Sequence, residues 1–201
     1  LSISPKNARA CYNRGLALRS KGDEERAIAD LSQAVKFDPK NALGYYNRGI
    51  AYRNRGDLDH ALADLDQSIL IDPKNASAYF ERGNARADKR DFDRAIADLN
   101  MAINIKPDYT AAFNLRGMAY TNKGDGDRAI ADFDQALRID PNFAPAFSNR
   151  GDAYQKKRDF DRAIADFDQA IKANPNYAGA YFNRGLARQE KREFEPAIAD
   201  F

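Results

Sequence analysis

"YYNRGIAYRNRGDLDHALADLDQSILIDPKN" (residues 45–75) returns downstream as "FSNRGDAYQKKRDFDRAIADFDQAIKANPN" (residues 147–176), with Asn-Arg-Gly, Ala-Tyr, Ala-x-Ala-Asp and a closing proline in register. A catalytic constellation is normally written once in a chain, whereas a pattern written repeatedly is architecture. Pro5, Pro39, Pro73, Pro107, Pro141 and Pro175 fall 34 residues apart without a slip, and so do Gly15, Gly49, Gly83, Gly117, Gly151 and Gly185. With Ala8 as position 1, full repeats run 8–41, 42–75, 76–109, 110–143 and 144–177, with a partial sixth at 178–201. Residues 1–7 match the tail of a preceding repeat, so a single array over 1–201 is expected.

Each repeat reads as two helices. Tyr45, Gly49 and Tyr52 share one helical face at i, i+4, i+7, and Ala61, Leu65 and Ser68 do the same in the second segment. Gly56-Asp57 supplies the turn between them, with Asp57 placed to cap the second helix and Asn75 the next first helix. Pro73 ends the second helix, because the residue before a proline avoids the α region. Gly49 costs about 1 kcal/mol of helix propensity against alanine, so its recurrence implies close approach of the facing helix. No such hairpin buries its apolar face alone, and neighbours must stack into a continuous core.

Composition narrows the function. The 201 residues are 43% apolar and 31% charged, with no tryptophan, as suits a thin core under a large polar surface. With 32 basic and 30 acidic residues the net charge is +2, which argues against a nucleic-acid partner. No apolar run approaches the roughly 18 to 20 residues of a membrane span, so no membrane partner is expected either. Cys11 is the single cysteine, so no intrachain disulfide can form and the compartment stays open, the cytoplasm being the simpler reading.

Aromatic-x3-Gly-x2-Tyr, then Ala-x3-Phe/Leu-x2-Ala and a closing Pro, covers essentially the whole chain and resembles the tetratricopeptide repeat family. The resemblance implies an all-α, right-handed superhelical solenoid of stacked antiparallel helix pairs, with the first helix of each pair lining a concave groove. Three departures stand out: Cys11 replaces an aromatic in the first repeat, and Arg86 and Arg188 replace the later aromatic in the third and sixth. They suggest locally looser packing.

No enzyme is read in these residues. His60 holds a slot taken by Arg26, Arg94, Arg128 and Arg162, which marks it as a solvated surface residue. Cys11 falls in a core slot, where a thiol is inert. The acidic runs disperse around their helices and form no metal site. The glycines form no phosphate-cradling loop, so no cofactor is expected.

By the resemblance, first-helix positions 2, 5, 6, 9, 12 and 13 face the groove. Position 6 carries Asn13, Asn47, Asn149 and Asn183, interrupted by Glu81 and Leu115, and an asparagine amide can pair with any peptide backbone. A carboxylate clamp of the kind used by chaperone-binding members would need Lys and Arg where Ser77 and Glu81 stand, so only Arg9, Asn13 and Asn47 match it. The start of the groove is basic and apolar, through Arg9, Arg19, Arg53, Tyr12, Leu16, Tyr46 and Ile50, and later it carries Glu81, Asp88, Asp152 and Glu190. An extended or helical segment with acidic and apolar residues suits that start.

The expectation is therefore a non-catalytic scaffold that binds a protein or peptide segment. One alternative is a module that self-associates head to tail through exposed ends, with Ile198 and Phe201 in the contact and Leu1 and Ile3 at the other end. Another is the substrate-recruiting arm of a larger enzyme. One packing expectation is sharper. Facing core positions of an antiparallel hairpin have repeat numbers totalling 31, and the recurring arginine at position 7 and aspartate at position 23 total 30. Arg14, Arg48, Arg82, Arg116, Arg150 and Arg184 should each meet Asp30, Asp64, Asp98, Asp132, Asp166 or Asp200 across the hairpin or the adjoining seam, partly buried.

Overall fold

The computed structural model describes residues 8–201, all helix and short turn, with no strand among them. Leu1 and Ile3 lie outside the described residues. The chain divides between Ile105 and Lys106 into two compact units of six helices. Unit one holds α1 (Ala8–Ser20), α2 (Glu24–Phe37), α3 (Ala42–Asn54), α4 (Leu58–Ile71), α5 (Ala76–Asp88) and α6 (Phe92–Ile105). Unit two holds α7 (Thr110–Asn122), α8 (Gly126–Ile139), α9 (Ala144–Lys156), α10 (Phe160–Ala173), α11 (Ala178–Glu190) and α12 (Phe194–Asp200).

Local chemistry sets the helix ends. Asp23, Asp57, Asp91, Asp125 and Asp159 each accept from the backbone N–H three residues on, satisfying one orphan donor of the second helix. Asn41 and Asn75 do the same for α3 and α5 at 2.9 and 3.2 Å. The turn inside the hairpin needs a left-handed residue. Gly22, Gly56 and Gly124 supply it at φ 76°, 78° and 81°, whereas Arg90, Arg158 and Arg192 are held there at 61°, 62° and 63°.

Packing follows the small residues. The recurring helix glycine lies under the side chain at position 24 of its own hairpin: a Cβ on Gly117 would sit 2.6 Å from the Phe133 ring, itself fully buried. Ala27, Ala61, Ala95, Ala129 and Ala163 are buried at the same interface. In unit one α1 touches α3 and α3 touches α5, while the second helices do not touch one another; in unit two α9 likewise touches α7 and α11. Each unit therefore closes on the side of its first helices.

The arginine–aspartate pairs form. Asp64, Asp132 and Asp166 accept both a Nε–H and a Nη2–H from Arg48, Arg116 and Arg150 at 2.6–2.8 Å. Asp98 and Asp200 do so from Arg82 and Arg184 at 2.5–3.0 Å, and Arg14 pairs with Asp30 in the same way. The third arm reaches the previous hairpin: Arg48 donates to Ser32 (3.0 Å), Arg82 to Asp66 (2.6 Å), Arg150 to Asp134 and Arg184 to Asp168 (both 2.5 Å). Each of these four guanidiniums ties its hairpin together and to its neighbour. Their delocalised positive charge also faces an aromatic ring at position 4, as with Arg82 5.5 Å from the Tyr79 centroid.

Arg86 and Arg188, where looser packing is expected, are both engaged. Each donates Nη1–H to the ladder aspartate of its hairpin, Asp98 at 2.7 Å and Asp200 at 2.8 Å. The lost aromatic is replaced by a second cation on a buried carboxylate. Cys11 is buried, and His60 is exposed, stacked on Tyr52 and bonded through Nδ1 to Asp57 at 2.8 Å.

Candidate functional site

In unit one the inner face comes from α1, α3 and α5. Arg9 and Asn13 are exposed, Tyr12, Leu16 and Tyr46 are half-buried, and Ile50 is buried. Asn47 departs from the expected open amide. It is only 5% exposed, and its amide donates to the Tyr12 hydroxyl (3.1 Å) and the Leu43 carbonyl (2.7 Å). Its neighbour across the first-helix seam is a tyrosine that covers it, so its replacement by alanine removes two hydrogen bonds at a buried position.

Arg53 is engaged as well. It donates from Nη1 to Glu81 (2.8 Å) and from Nε to Asp88 (3.0 Å). Burial pushes the Glu81 carboxyl above its ordinary range, and Arg53 pulls it back. Of the basic residues at the start of the groove, Arg53 is thus engaged by the protein's own acids and less available to an acidic ligand.

A cavity of about 580 Å³ lies along the first helices α7, α9 and α11, with the start of α10 beside them. Met118, Phe133 and Phe160 give it an apolar wall, and Asn122, Asn149, Gln155 and Asn183 present amides. Asn149 donates to the Asn114 side-chain oxygen at 2.9 Å, and Asn183 donates to Asp152 Oδ1 at 2.8 Å. The four asparagines of the expected ladder therefore fall in two settings: Asn13 and Asn47 in unit one, Asn149 and Asn183 together in the unit-two cavity.

Four charged groups line this cavity: Asp152, Glu190, Lys156 and Arg158. Burial raises the Asp152 carboxyl to about 6, against the opposing pull of Lys156 and of the Asn183 hydrogen bond. Asp152 was legible as a groove acid, but its isolation from any arginine was not. The signal was available in one place: position 9 reads Leu16, Ile50, Asn84, Met118, Asp152 and Leu186, and Asp152 is its only charge.

Ile198 and Phe201 lie apart from both groups. They are 67% and 63% exposed, but the Phe201 ring packs over Gly185 and tilts against Phe182 at 5.8 Å between centroids. Among the described residues no cluster of His, Cys, Asp or Glu could hold a metal ion, and no helix is long and apolar enough to cross a membrane.

Recurring helical hairpins, with amides on the inner face of each unit, define a helical-repeat scaffold. The chain belongs to the tetratricopeptide repeat family: models described as "TPR repeat" match residues 15–54 and 117–157, and models described as "Tetratricopeptide repeat" match 42–75, 76–109 and 144–177. Members of this family are protein–protein interaction scaffolds and are generally non-catalytic. No curated protein matches the chain.

Among solved structures, the chain is similar to a crystal structure of MamA at 29% identity and TM-score 0.73, over 82% of this chain and 96% of that one. It is also similar to YrrB, described as a TPR protein with an unusual peptide-binding site, at 26% identity and TM-score 0.70 over 87% and 90%. PilW, a type IV pilus biogenesis factor, shares the fold at TM-score 0.88 and 19% identity, over 96% and 90%.

Proposed function

We propose that this scaffold binds an extended peptide segment of a partner protein along the first helices of unit two. The observation that carries the reading is the cavity of about 580 Å³, which combines an apolar wall with four amides. Its size lies within the roughly 300–1,000 Å³ of typical ligand sites. Asn149 and Asn183 offer donor and acceptor groups to a peptide main chain, and Met118 and Phe182, 38% and 54% exposed, offer apolar contact to its side chains. The similarity to YrrB, a peptide-binding protein, points the same way. In unit one, Arg9, Tyr12, Asn13, Leu16, Tyr46, Asn47, Ile50 and Arg53 form a second candidate stretch, in which Asn47 and Arg53 are already engaged by the protein's own groups.

Peptides selected from a random dodecapeptide library on the full chain provide the test. Met118→Trp crowds the cavity without changing its charge, and Ala165→Trp places the same bulk at an exposed position of α10. The reading expects affinity to fall about tenfold or more for the first and to stay unchanged for the second. Equal effects would overturn it.

A second reading is self-association through α12, supported by the exposure of Phe194, Ile198 and Phe201 at 58%, 67% and 63%. Light scattering over a wide concentration range tests it, with Ile198→Asp expected to abolish any association and a strict monomer throughout counting against it.

A further inference from the structure

Every buried ladder aspartate in this fold is paired with an arginine, and half-buried Glu81 has Arg53. Asp152 breaks that rule. It lies among Met118, Phe160 and Asn183, receives one amide hydrogen bond at Oδ1, and has no ion pair. Lys156, one turn further along α9, acts on it only at a distance, and its own side chain is exposed. A carboxylate removed from water without a cation is costly, and it gains more from a cation brought to it than a solvated carboxylate would.

Building on the peptide-groove reading above, we propose that Asp152 is an anchor for a lysine or arginine side chain of the docked segment. The methylenes of such a side chain suit the apolar wall of Met118 and Phe160, and its charged head replaces the water that Asp152 has lost. Asn183 holds the carboxylate from one oxygen and leaves Oδ2 for the incoming donor. The anchor thus selects a basic segment, where the sequence suggested an acidic one for the start of the groove. Asp152 binds as the carboxylate, so protonation competes with the ligand.

The other charged groups around the cavity are Lys156 on α9, Arg158 in the turn before α10, and Glu190 on α11; α7 contributes none. The single histidine, His60, belongs to unit one and is not among the residues that line this cavity. Asp152, raised by burial to about 6, is therefore the group expected to titrate between about pH 5 and pH 7. Its ionised fraction is about one tenth at pH 5, so affinity for a basic peptide should fall about tenfold from pH 7 to pH 5.

Library-selected dodecapeptides that lose affinity for Met118→Trp are remade with each lysine or arginine changed to glutamine. Binding is measured by titration calorimetry to the full wild-type chain and to Asp152→Asn. The proposal expects one basic position whose replacement weakens wild-type binding about ten- to hundredfold, with little further loss on Asp152→Asn. It also expects the fall toward pH 5 in the wild type and its absence in the variant. Groove-binding peptides with no such position, or with acidic residues enriched instead, would overturn the anchor and leave the groove reading standing. A library that yields no peptide sensitive to Met118→Trp would overturn both.

Discussion

Asp98 and Asp66 both pair with Arg82, and they should differ sharply in what their loss costs. Asp98 is 2% exposed and accepts three charge-assisted bonds, two from Arg82 at 3.0 and 2.6 Å and one from Arg86 at 2.7 Å. Asp98→Ala strands two guanidiniums whose side chains are only 16% and 19% exposed. Breaking a buried pair from one side costs roughly 3–5 kcal/mol. Arg82 retains Asp66 at 2.6 Å and both arginines can regain some water, so the lower end applies, about 3 kcal/mol. Asp66 is 52% exposed, and Asp66→Ala should cost about 0.5 kcal/mol, as exposed pairs do. Urea unfolding followed by circular dichroism reads the difference. Amide exchange in α5 and α6 checks that the loss is local, since repeat stacks can unfold in parts. If the two variants cost the same, or Asp98→Ala costs less than about 1 kcal/mol, the ladder is not what ties the hairpins together.

Other expectations follow from single residues. Ser68 is fully buried and its hydroxyl has no partner, in a slot held by Ala34, Ala102, Ala136 and Ala170, so Ser68→Ala should raise stability by about 1 kcal/mol in the same urea titration. Arg90 is held at φ 61° where Gly22, Gly56 and Gly124 serve elsewhere; Arg90→Gly should raise the melting temperature through about 1 kcal/mol of relieved strain, and a drop would contradict the strain. Gly117→Ala forces a methyl to within 2.6 Å of a buried ring and should cost about 1–3 kcal/mol, more than Gly49→Ala, where the nearest atom is 3.0 Å away. Asp152 has a folded value of about 6 against an ordinary 3.8, so its ionised form is disfavoured by folding. Asp152→Asn should therefore be more stable than the wild type by up to about 3 kcal/mol at pH 7, with the gap closing as pH falls from about 6 toward 4 and the wild-type carboxyl protonates. No gap at pH 7 would mean that the carboxylate is better solvated than its burial suggests.

The hairpins, their caps and the ladder were legible because the array writes each constraint once per repeat, so a period and a nearly constant sum locate Arg82 opposite Asp98 without coordinates. What could not be read depends on the neighbouring repeat. Asn47 and Asn13 share position 6, yet Asn47 is buried because Tyr12 of the preceding first helix covers it, and Asn13 is exposed. Arg86 looked like a missing aromatic until the height of its guanidinium beside Asp98 was known. Arg53 looked available, but Glu81 and Asp88 of the next first helix engage it. Asp152 was visible as a groove acid, while its solitude depends on where Lys156 and Asn183 point.

The most direct measurement is a crystal structure of the full chain bound to a library-selected basic peptide. The account predicts the peptide along α9 and α11, its main chain bonded to the Asn149 and Asn183 amides and a lysine or arginine head within hydrogen-bond reach of Asp152 Oδ2. A peptide seated on the second helices or against α12, with the cavity beside Met118 left unfilled, would contradict it.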